Sequence, residues 1–135
     1  MKFTGRKIYQ GKIIAEALVS KMGISFYGGV DPESGVIVEK GHLLEGACIS
    51  GKVLVFPTGK GSTVGSYTLY RLKKSGMAPA AIVNAECETI TAVGCIISEI
   101  PCVDMIPIDQ IQTGDLVSVD GENAIVEILT EKEGA

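Results

Sequence analysis

The sequence predicts a mixed α/β domain with a β-rich body and two main helices. Short aliphatic runs bounded by Gly, Pro and Asp fill the first and last thirds of the chain, as expected for strands joined by turns. Two longer segments in the middle, 64–74 and 88–98, have the length expected of helices. The 135 residues contain no repeat, low-complexity tract or linker, so we expect one domain spanning 1–135.

In the first third, the aliphatic runs predict short strands separated by glycines. The run 12–19 is rich in both Ile and Ala and could form a helix, but Gly11 before it favours a strand. The turn residues of 28–35 predict a long loop. The predicted extended segments are 7–9, 12–19, 24–27 and 36–38.

In the rest of the chain, strands alternate with the two helices and end in a hairpin. The first helix has an apolar stripe made of Val64, Tyr67, Leu69 and Leu72, and Gly76 ends it. The Thr and Ile content of 88–98 leaves a strand open as the alternative there. The remaining predicted strands are 52–56, 80–83, 101–104, 116–119 and 124–128, and the tail 131–135 is predicted to fray.

Composition excludes several classes of function. The net charge of −4 argues against a broad surface for nucleic acid or anionic membrane. No apolar run approaches the roughly 18 residues that a membrane helix needs, and the N-terminus shows no hydrophobic signal region. We therefore expect a cytoplasmic protein that binds neither nucleic acid nor membrane.

The cysteines and the single histidine give no metal or catalytic signature. Cys48, Cys87, Cys95 and Cys102 form no Cys-x-x-Cys pair and stand among Ala, Ile, Val or Gly, which predicts reduced core thiols. We expect this chain alone to bind no metal. His42 is predicted to be a loop or helix-start residue.

The most informative stretch is 57–66, where a strand breaks at Pro57 and leads into a helix. Ser62 stands at the position of the helix N-cap. Gly59 and Gly61 allow the backbone to approach a ligand, and Lys60 adds positive charge where the helix dipole already favours an anion. The stretch predicts an anion pocket with a hydroxyl at its mouth.

The Walker phosphate loop is the obvious motif to test, and the sequence lacks it. That motif requires Gly where the chain has Leu54, and Ser or Thr directly after the lysine, where the chain has Gly61. Nucleotide hydrolysis is therefore excluded as the interpretation.

A second glycine-rich turn precedes this stretch. Gly28 and Gly29 form a turn that could also bring backbone close to a bound molecule. Asp31 either hydrogen-bonds its own loop or contacts a ligand. We include all three with Gly59, Lys60 and Gly61 as candidate substrate-binding residues.

The chemistry available to Ser62 is limited by its neighbours in sequence. No His or carboxylate is close enough in the chain to activate it as a nucleophile, so it is better suited to exchange a proton. Lys60 could bind a substrate carboxylate or phosphate, or only hold the loop. Ser66, one helical turn further on, either supports Ser62 or is an exposed helix residue. Any other machinery would have to come from a partner.

The whole chain resembles the small subunits of the aconitase X family. The block from Pro57 to Ser62 is the most specific part, and we find no departure from the family at the matching positions. These are Gly28-Gly29-Val30-Asp31 with Gly35, Pro57-Thr58-Gly59-Lys60-Gly61-Ser62 with Ser66, Pro79-Ala80-Ala81-Ile82-Val83, Ala92-Val93-Gly94-Cys95 and Ile100-Pro101.

The resemblance implies a single swivelling β/β/α domain that closes over an active site. It further implies that Ser62 is the proton acceptor and that a large subunit, as the heterodimer partner, carries an iron–sulfur cluster. The implied reaction is dehydration of a small phosphorylated hydroxy acid, (R)-5-phosphomevalonate, to trans-anhydromevalonate 5-phosphate in the archaeal mevalonate pathway.

Two alternatives stay open at this point. The chain could belong to a related dehydratase acting on another hydroxy acid, such as a hydroxyproline. It could instead be a non-catalytic module whose Gly-Lys-Gly loop only holds an anion.

Overall fold

The computed structural model describes residues 1–131, which form one mixed sheet with helices packed on it. The strands lie in the order β1-β8-β7-β3-β4-β5-β6-β2. They are β1 (Lys2–Thr4), β2 (Arg6–Tyr9), β3 (Lys12–Val19), β4 (Val53–Phe56), β5 (Ala81–Asn84), β6 (Cys102–Asp104), β7 (Leu116–Asp120) and β8 (Ile125–Thr130). The helices are α1 (Phe26–Gly29), α2 (Gly65–Lys74) and α3 (Thr89–Ser98), and a 3₁₀ turn covers Ile108–Gln110.

The centre of the sheet is parallel and its flanks are antiparallel. Strands β3, β4, β5 and β6 run in one direction, with α2 and α3 as the crossovers between the last three. The first half of β3 pairs antiparallel with β7, so this strand joins the parallel centre to the β7–β8 hairpin. The predicted α/β class with a β-rich body is confirmed.

Both faces of the central strands are covered, which explains their uninterrupted apolar sequences. Every residue of β4 and β5 is buried. Leu54 and Phe56 pack on the side of α2 and α3, whereas Val53 and Val55 pack with side chains of the hairpin such as Val117. Each buried side chain of this kind contributes about 1.5–3 kcal/mol of transfer free energy.

The least accurate prediction in the first third is the strand over 24–27. Ile24 makes only one parallel bridge, to Gly59, and a short distorted turn, α1, follows. Gly28 adopts a φ of +80°, which ends any extended run. The segment 36–38 forms isolated bridges rather than a strand, and β1 was not predicted.

The two main helices lie where the sequence places them, and a small residue lets them approach closely. A Cβ on Gly94 of α3 would collide with Leu69 of α2. Leu69 and Leu72 are buried as predicted, but Tyr67 is 60% exposed and Val64 43% exposed, so half of the predicted stripe is wrong.

The parallel strands end at one edge of the sheet, and three loops leave from it. The loops 20–25, 57–64 and 85–88 follow β3, β4 and β5. Because ligands of parallel α/β sheets bind at the carboxyl ends of the strands, this edge is where a functional site is expected. A single domain over 1–135 stays a prediction, and the predicted fraying of the tail falls on residues that, apart from Glu131, lie outside the described range.

Candidate active site

The loop 57–64 is held by backbone hydrogen bonds to the segment that follows β3. The N–H of Lys60 donates to the carbonyl of Ile24 at 3.0 Å, and the N–H of Ile24 donates to the carbonyl of Thr58 at 3.3 Å. These two reciprocal hydrogen bonds hold the irregular loop against this segment, as hydrogen bonds between neighbouring strands do.

Close approach on both sides explains the two glycines of the loop. A Cβ on Gly59 would collide with the Glu88 carboxylate and the Thr91 hydroxyl. A Cβ on Gly61 would collide with the Ser25 hydroxyl, and Gly61 also has a φ of +94°. The loop is therefore squeezed between the start of α3 and the 23–25 segment, and only glycine fits at these positions.

Ser62 lies exposed at the end of this loop and caps the turn that leads into α2. Its Oγ accepts from the N–H of Val64 at 3.2 Å, and its carbonyl accepts from the N–H of Gly65 at 2.9 Å. The prediction that Ser62 is the N-cap is wrong: the N-cap of α2 is Val64, and the Ser62 hydroxyl instead closes a short turn just before the helix. A hydroxyl that accepts one bond keeps a proton to donate and a second lone pair.

The first turn of α2 contributes no anion of its own to the positive end of the helix. No acidic residue occupies its first turn. Its aligned peptide dipoles place partial positive charge at the N-terminus, close to Ser62 in the chain. The environment therefore favours negative charge on an atom bound there.

Lys60 has a partner that the sequence did not indicate. Its Nζ lies 3.0 Å from Oε2 of Glu39, and its methylene carbons lie 3.6 and 3.7 Å from the place that a Cβ on Gly23 would take. Glu39 was missed because 21 positions separate the two residues and only the folding of two loops brings them together.

The Gly28-Gly29-Asp31 turn lies beside α2 and has its own hydrogen-bond network. Gly28 lines a surface cleft of about 370 Å³ that also includes Arg71. The Asp31 carboxylate accepts from the N–H of Glu33 at 3.0 Å and from the hydroxyl of Ser34 at 2.8 Å. These bonds to the charged form lower the pKa of Asp31 below its ordinary value. The carboxylate thus has a local structural role, and its contact with substrate stays a prediction.

Ser66 supports the helix pair rather than standing exposed. Its hydroxyl donates to the carbonyl of Ile90 at 2.6 Å and is partly buried. This bond links the first turn of α2 to the first turn of α3. Ser66 therefore helps to fix the position from which the Ser62 loop enters α2.

The free N–H groups at the N-terminus of α3 are capped by the side chain of Glu88. The Glu88 carboxylate accepts from the N–H groups of Ile90 and Thr91 at 2.7 and 2.8 Å. A carboxylate at this position satisfies two free amides and neutralises the positive end of the dipole. The N-terminus of α3 is therefore not available to a second anion.

A larger and mainly apolar cleft of about 630 Å³ lies on another side of Pro57. Its lining includes Val19, Ile111 and Thr113, but neither Ser62 nor Lys60. We place the candidate site at the 57–64 loop because the exposed Ser62 hydroxyl lies there, just before the N-terminus of α2.

Three of the four cysteines are core residues, as predicted, and one is not. Cys87, Cys95 and Cys102 are buried, whereas Cys48 is exposed, which corrects the prediction for that residue. The hydrogen bond with Cys102 and burial raise the pKa of Cys87 well above its ordinary value. The bond with Cys87 lowers the pKa of Cys102, but the contact with Cys95 and burial raise it by more. Such thiols are poor nucleophiles and poor metal ligands.

His42 and the remaining polar residues give no metal centre. The His42 ring is buried, its Nε2 lying 3.0 Å from the carbonyl of Gly23 while Nδ1 accepts from the N–H of Leu44. Within residues 1–131, no group of three or more His, Cys, Asp or Glu is arranged to hold a metal ion. Across the same residues, no helix has the length and apolar character needed to cross a bilayer.

Comparison with known proteins places these features in a family. Residues 2–128 match the family model for the aconitase X swivel domain. The chain is 54% identical to the phosphomevalonate dehydratase small subunit of Methanosarcina mazei, with 99% of this chain and 95% of the relative covered. It is 51% identical to the protein of the same name from Thermococcus kodakarensis, with 98% of this chain and the whole relative covered.

Solved structures agree with this match. The crystal structure of Thermococcus kodakaraensis aconitase X in its holo-form superposes with a TM-score of 0.94 at 51% identity, covering 96% of this chain and 98% of that chain. A solution NMR structure of a UPF0107 protein superposes with a TM-score of 0.85 at 44% identity, covering 96% of this chain and 99% of that chain.

Proposed function

The chain belongs to the aconitase X swivel-domain family, and from this premise we propose that it is the small subunit of a hydro-lyase that dehydrates (R)-5-phosphomevalonate. The observation that carries the proposal is the identity of about half of the residues to phosphomevalonate dehydratase small subunits, over nearly the full length of both proteins. The product is trans-anhydromevalonate 5-phosphate, an intermediate of the archaeal mevalonate pathway. A cytoplasmic location fits an enzyme of such a biosynthetic route.

Ser62 is the proton acceptor in this proposal. Dehydration breaks a C–H bond next to the carbinol carbon, forms the C=C bond and expels the hydroxyl as hydroxide, which becomes water when the proton taken from carbon is passed on to it. The Ser62 oxygen receives the proton from carbon. The positive end of the α2 dipole favours negative charge on that oxygen before the proton arrives.

The substrate meets this chain at the loops that surround Ser62. The predicted contacts are Gly28, Gly29, Asp31, Gly59, Lys60 and Gly61. Of these, the backbone of 59–61 is adjacent to Ser62 and is held rigidly by its two neighbouring segments. Rigid backbone donors bind an anion without losing conformational entropy at the moment of binding.

A large subunit supplies the rest of the machinery. The thiols of this chain do not fit an iron–sulfur cluster, because the three buried ones contact one another in the core, Cys48 is exposed apart from them, and no metal-holding group is found within residues 1–131. The cluster implied for the family is therefore assigned to the large subunit, which joins this chain in a heterodimer. We expect this chain to be inactive without it.

The experiment is anaerobic co-expression of this chain with its large subunit, followed by an assay of phosphomevalonate dehydration. Activity should require both chains and should fall by about 10²–10⁴-fold in Ser62→Ala, the range typical of a lost general base. Thr63→Ala is the matched control, because Thr63 is an exposed hydroxyl residue next to Ser62.

Two results would contradict the proposal in different ways. An intact, cluster-loaded complex that does not dehydrate phosphomevalonate would overturn the substrate, and a hydroxyproline or another hydroxy acid would be tested next. Full activity of Ser62→Ala would overturn the role of this serine. Anion binding without any activity would favour a non-catalytic module.

A further inference from the structure

We propose that Glu39 is a positioning residue for the reaction, acting through Lys60 on the loop that carries Ser62. The proposal rests on the proposed function and decides between two roles for Lys60. On this account Lys60 fixes the loop through its ion pair, and it does not serve as the ligand of the substrate's anionic group.

The first step of the argument concerns the Lys60 side chain. Its ammonium lies 3.0 Å from the Glu39 carboxylate, and its stem runs beside Gly23. Its own backbone N–H is bonded to Ile24. The main chain of Lys60 thus binds the 23–25 segment and its ammonium binds Glu39, two residues before Ser62.

The second step concerns the segment that carries Glu39. The N–H of Glu39 donates to the carbonyl of Gly29 at 3.3 Å, and its carbonyl accepts from the N–H of His42 at 3.2 Å. The His42 ring is bonded in turn to the carbonyl of Gly23. The Glu39 carboxylate is therefore presented from a turn that is anchored to the segment that Lys60 also contacts.

The third step concerns how much the Lys60–Glu39 ion pair contributes to stability. The Lys60 and Glu39 side chains are 45% and 29% exposed, so the pair contributes little to the stability of the whole domain. Its effect is expected on the geometry of an eight-residue loop that lacks regular secondary structure. A small displacement of a catalytic group can lower the rate strongly without unfolding the protein.

The kinetic test uses Glu39→Gln, Lys60→Gln and the double variant in the assembled, cluster-loaded complex. We expect each single variant to lower kcat about fivefold with KM for phosphomevalonate within about twofold of wild type. The double variant should be no worse than either single one, because both remove the same contact. Exchanging the charges, with Glu39→Lys and Lys60→Glu together, should recover part of the lost kcat.

A matched control comes from another exposed pair of the same kind. Lys52 lies 3.4 Å from Glu16, away from the Ser62 loop. Glu16→Gln removes the same charge from the protein and should leave kcat and KM unchanged.

The opposite kinetic pattern would overturn the proposal. If Lys60 binds the substrate directly and Glu39 only competes for it, Glu39→Gln should lower KM while Lys60→Gln raises it. Additive losses in the double variant would equally show that the two residues do not act as a unit.

A second measurement does not depend on catalysis. Hydrogen exchange of the full chain should show faster exchange of the Lys60 and Ile24 amides in Glu39→Gln, and unchanged exchange in Glu16→Gln. Unchanged amides in Glu39→Gln would overturn the proposal even if the enzyme assay succeeded. If phosphomevalonate is not the substrate, the proposed function fails, while this exchange result still decides the role of the pair.

Discussion

Two strand–loop–helix units stand side by side in this molecule and treat their helix N-termini in opposite ways. In the unit from β5 to α3, the Glu88 carboxylate accepts from two amides of the first turn. In the unit from β4 to α2, a serine hydroxyl accepts from one amide, and the first turn contains no acid. The first kind of terminus is neutralised by the chain itself, whereas the second remains open to an external anion.

The difference extends to the surroundings of each unit. The β5–α3 unit and the strand β6 that follows it contain the three buried cysteines, so this region is part of the packed core. The unit from β4 to α2 has a longer loop with two glycines pressed between neighbours and an exposed Ser62. Because both units share one architecture, we propose the β4–α2 unit as the functional one on the basis of its loop and its exposed Ser62 rather than its fold.

The largest expected effect is the protection from thiol reagents that burial gives the cysteines in and around the β5–α3 unit, compared with the exposed Cys48 before β4. At neutral pH the folded chain should react quickly with a thiol reagent at Cys48 alone. Cys87, Cys95 and Cys102 should react more than about 10³-fold more slowly, since they must wait for the domain to open. Thiol titration in native buffer and in denaturant measures this, and Cys48→Ser should remove the fast phase. Rapid labelling of Cys95 would mean that the β5–α3 unit does not exclude the reagent.

A smaller but still large effect is expected where the two units touch. Gly59→Ala places a methyl group against the Glu88 carboxylate and the Thr91 hydroxyl, so the loop must shift. We expect a loss of about 1–3 kcal/mol in the free energy of unfolding and a fall of about 10–100-fold in kcat of the complex. Gly46→Ala is the control for kcat alone: a Cβ there meets nothing within 4 Å, but the φ of +88° means that alanine also lowers the free energy of unfolding. Equal kcat in the two variants would show that the contact with α3 does not position the loop.

Removing the Glu88 cap of α3 should have a moderate effect on the free energy of unfolding. Glu88→Ala leaves two amides of α3 without their partner and should lower the free energy of unfolding by about 1 kcal/mol. Glu88→Gln keeps one acceptor oxygen and should lose less. Urea denaturation measures both, and an unchanged midpoint for Glu88→Ala would contradict the assignment of this cap.

The smallest effect is expected at Asp31, whose carboxylate, like that of Glu88, accepts hydrogen bonds from residues that follow it closely in the chain. The hydrogen bonds from Glu33 and Ser34 lower the pKa of Asp31 in the folded state. The carboxylate therefore stabilises the fold at pH values above its unfolded pKa of about 3.9. This stabilisation is lost as the pH falls through the lower, folded-state pKa. The stability difference between wild type and Asp31→Asn should therefore shrink as the pH falls from about 5 to 3. A difference that is independent of pH would contradict this role.

Much of the fold could be predicted from the sequence because the central strands are uniformly apolar and the helices carry local end signals. The run before Pro57 and the hairpin around Asp120 were recognisable in this way. The 24–27 segment was not, because its conformation is set by bonds to Thr58 and Lys60, more than thirty positions away. The exposure of Cys48 likewise depends on which loop covers it, which local pattern does not encode.

The candidate site was predicted in its residues but not in its contacts. Proline, two glycines and a serine within six positions mark the loop in the sequence. The physical reason for Gly59 is a close approach to α3, and that reason became visible only in the folded chain. The partner of Lys60 was invisible for the same reason, since nothing in the residues around Glu39 distinguishes it from other surface carboxylates.

The most direct test of the central claim is kcat of the Ser62→Asn variant in the assembled, cluster-loaded complex. The asparagine side-chain oxygen can accept from the N–H of Val64 in the same turn but provides no hydroxyl, so this variant separates the structural role from the chemical one. We expect wild-type stability and assembly with a loss of at least about 100-fold in kcat, as large as in Ser62→Ala. Near-wild-type kcat in Ser62→Asn would show that the residue serves only to close this turn and that the proton acceptor lies on the large subunit.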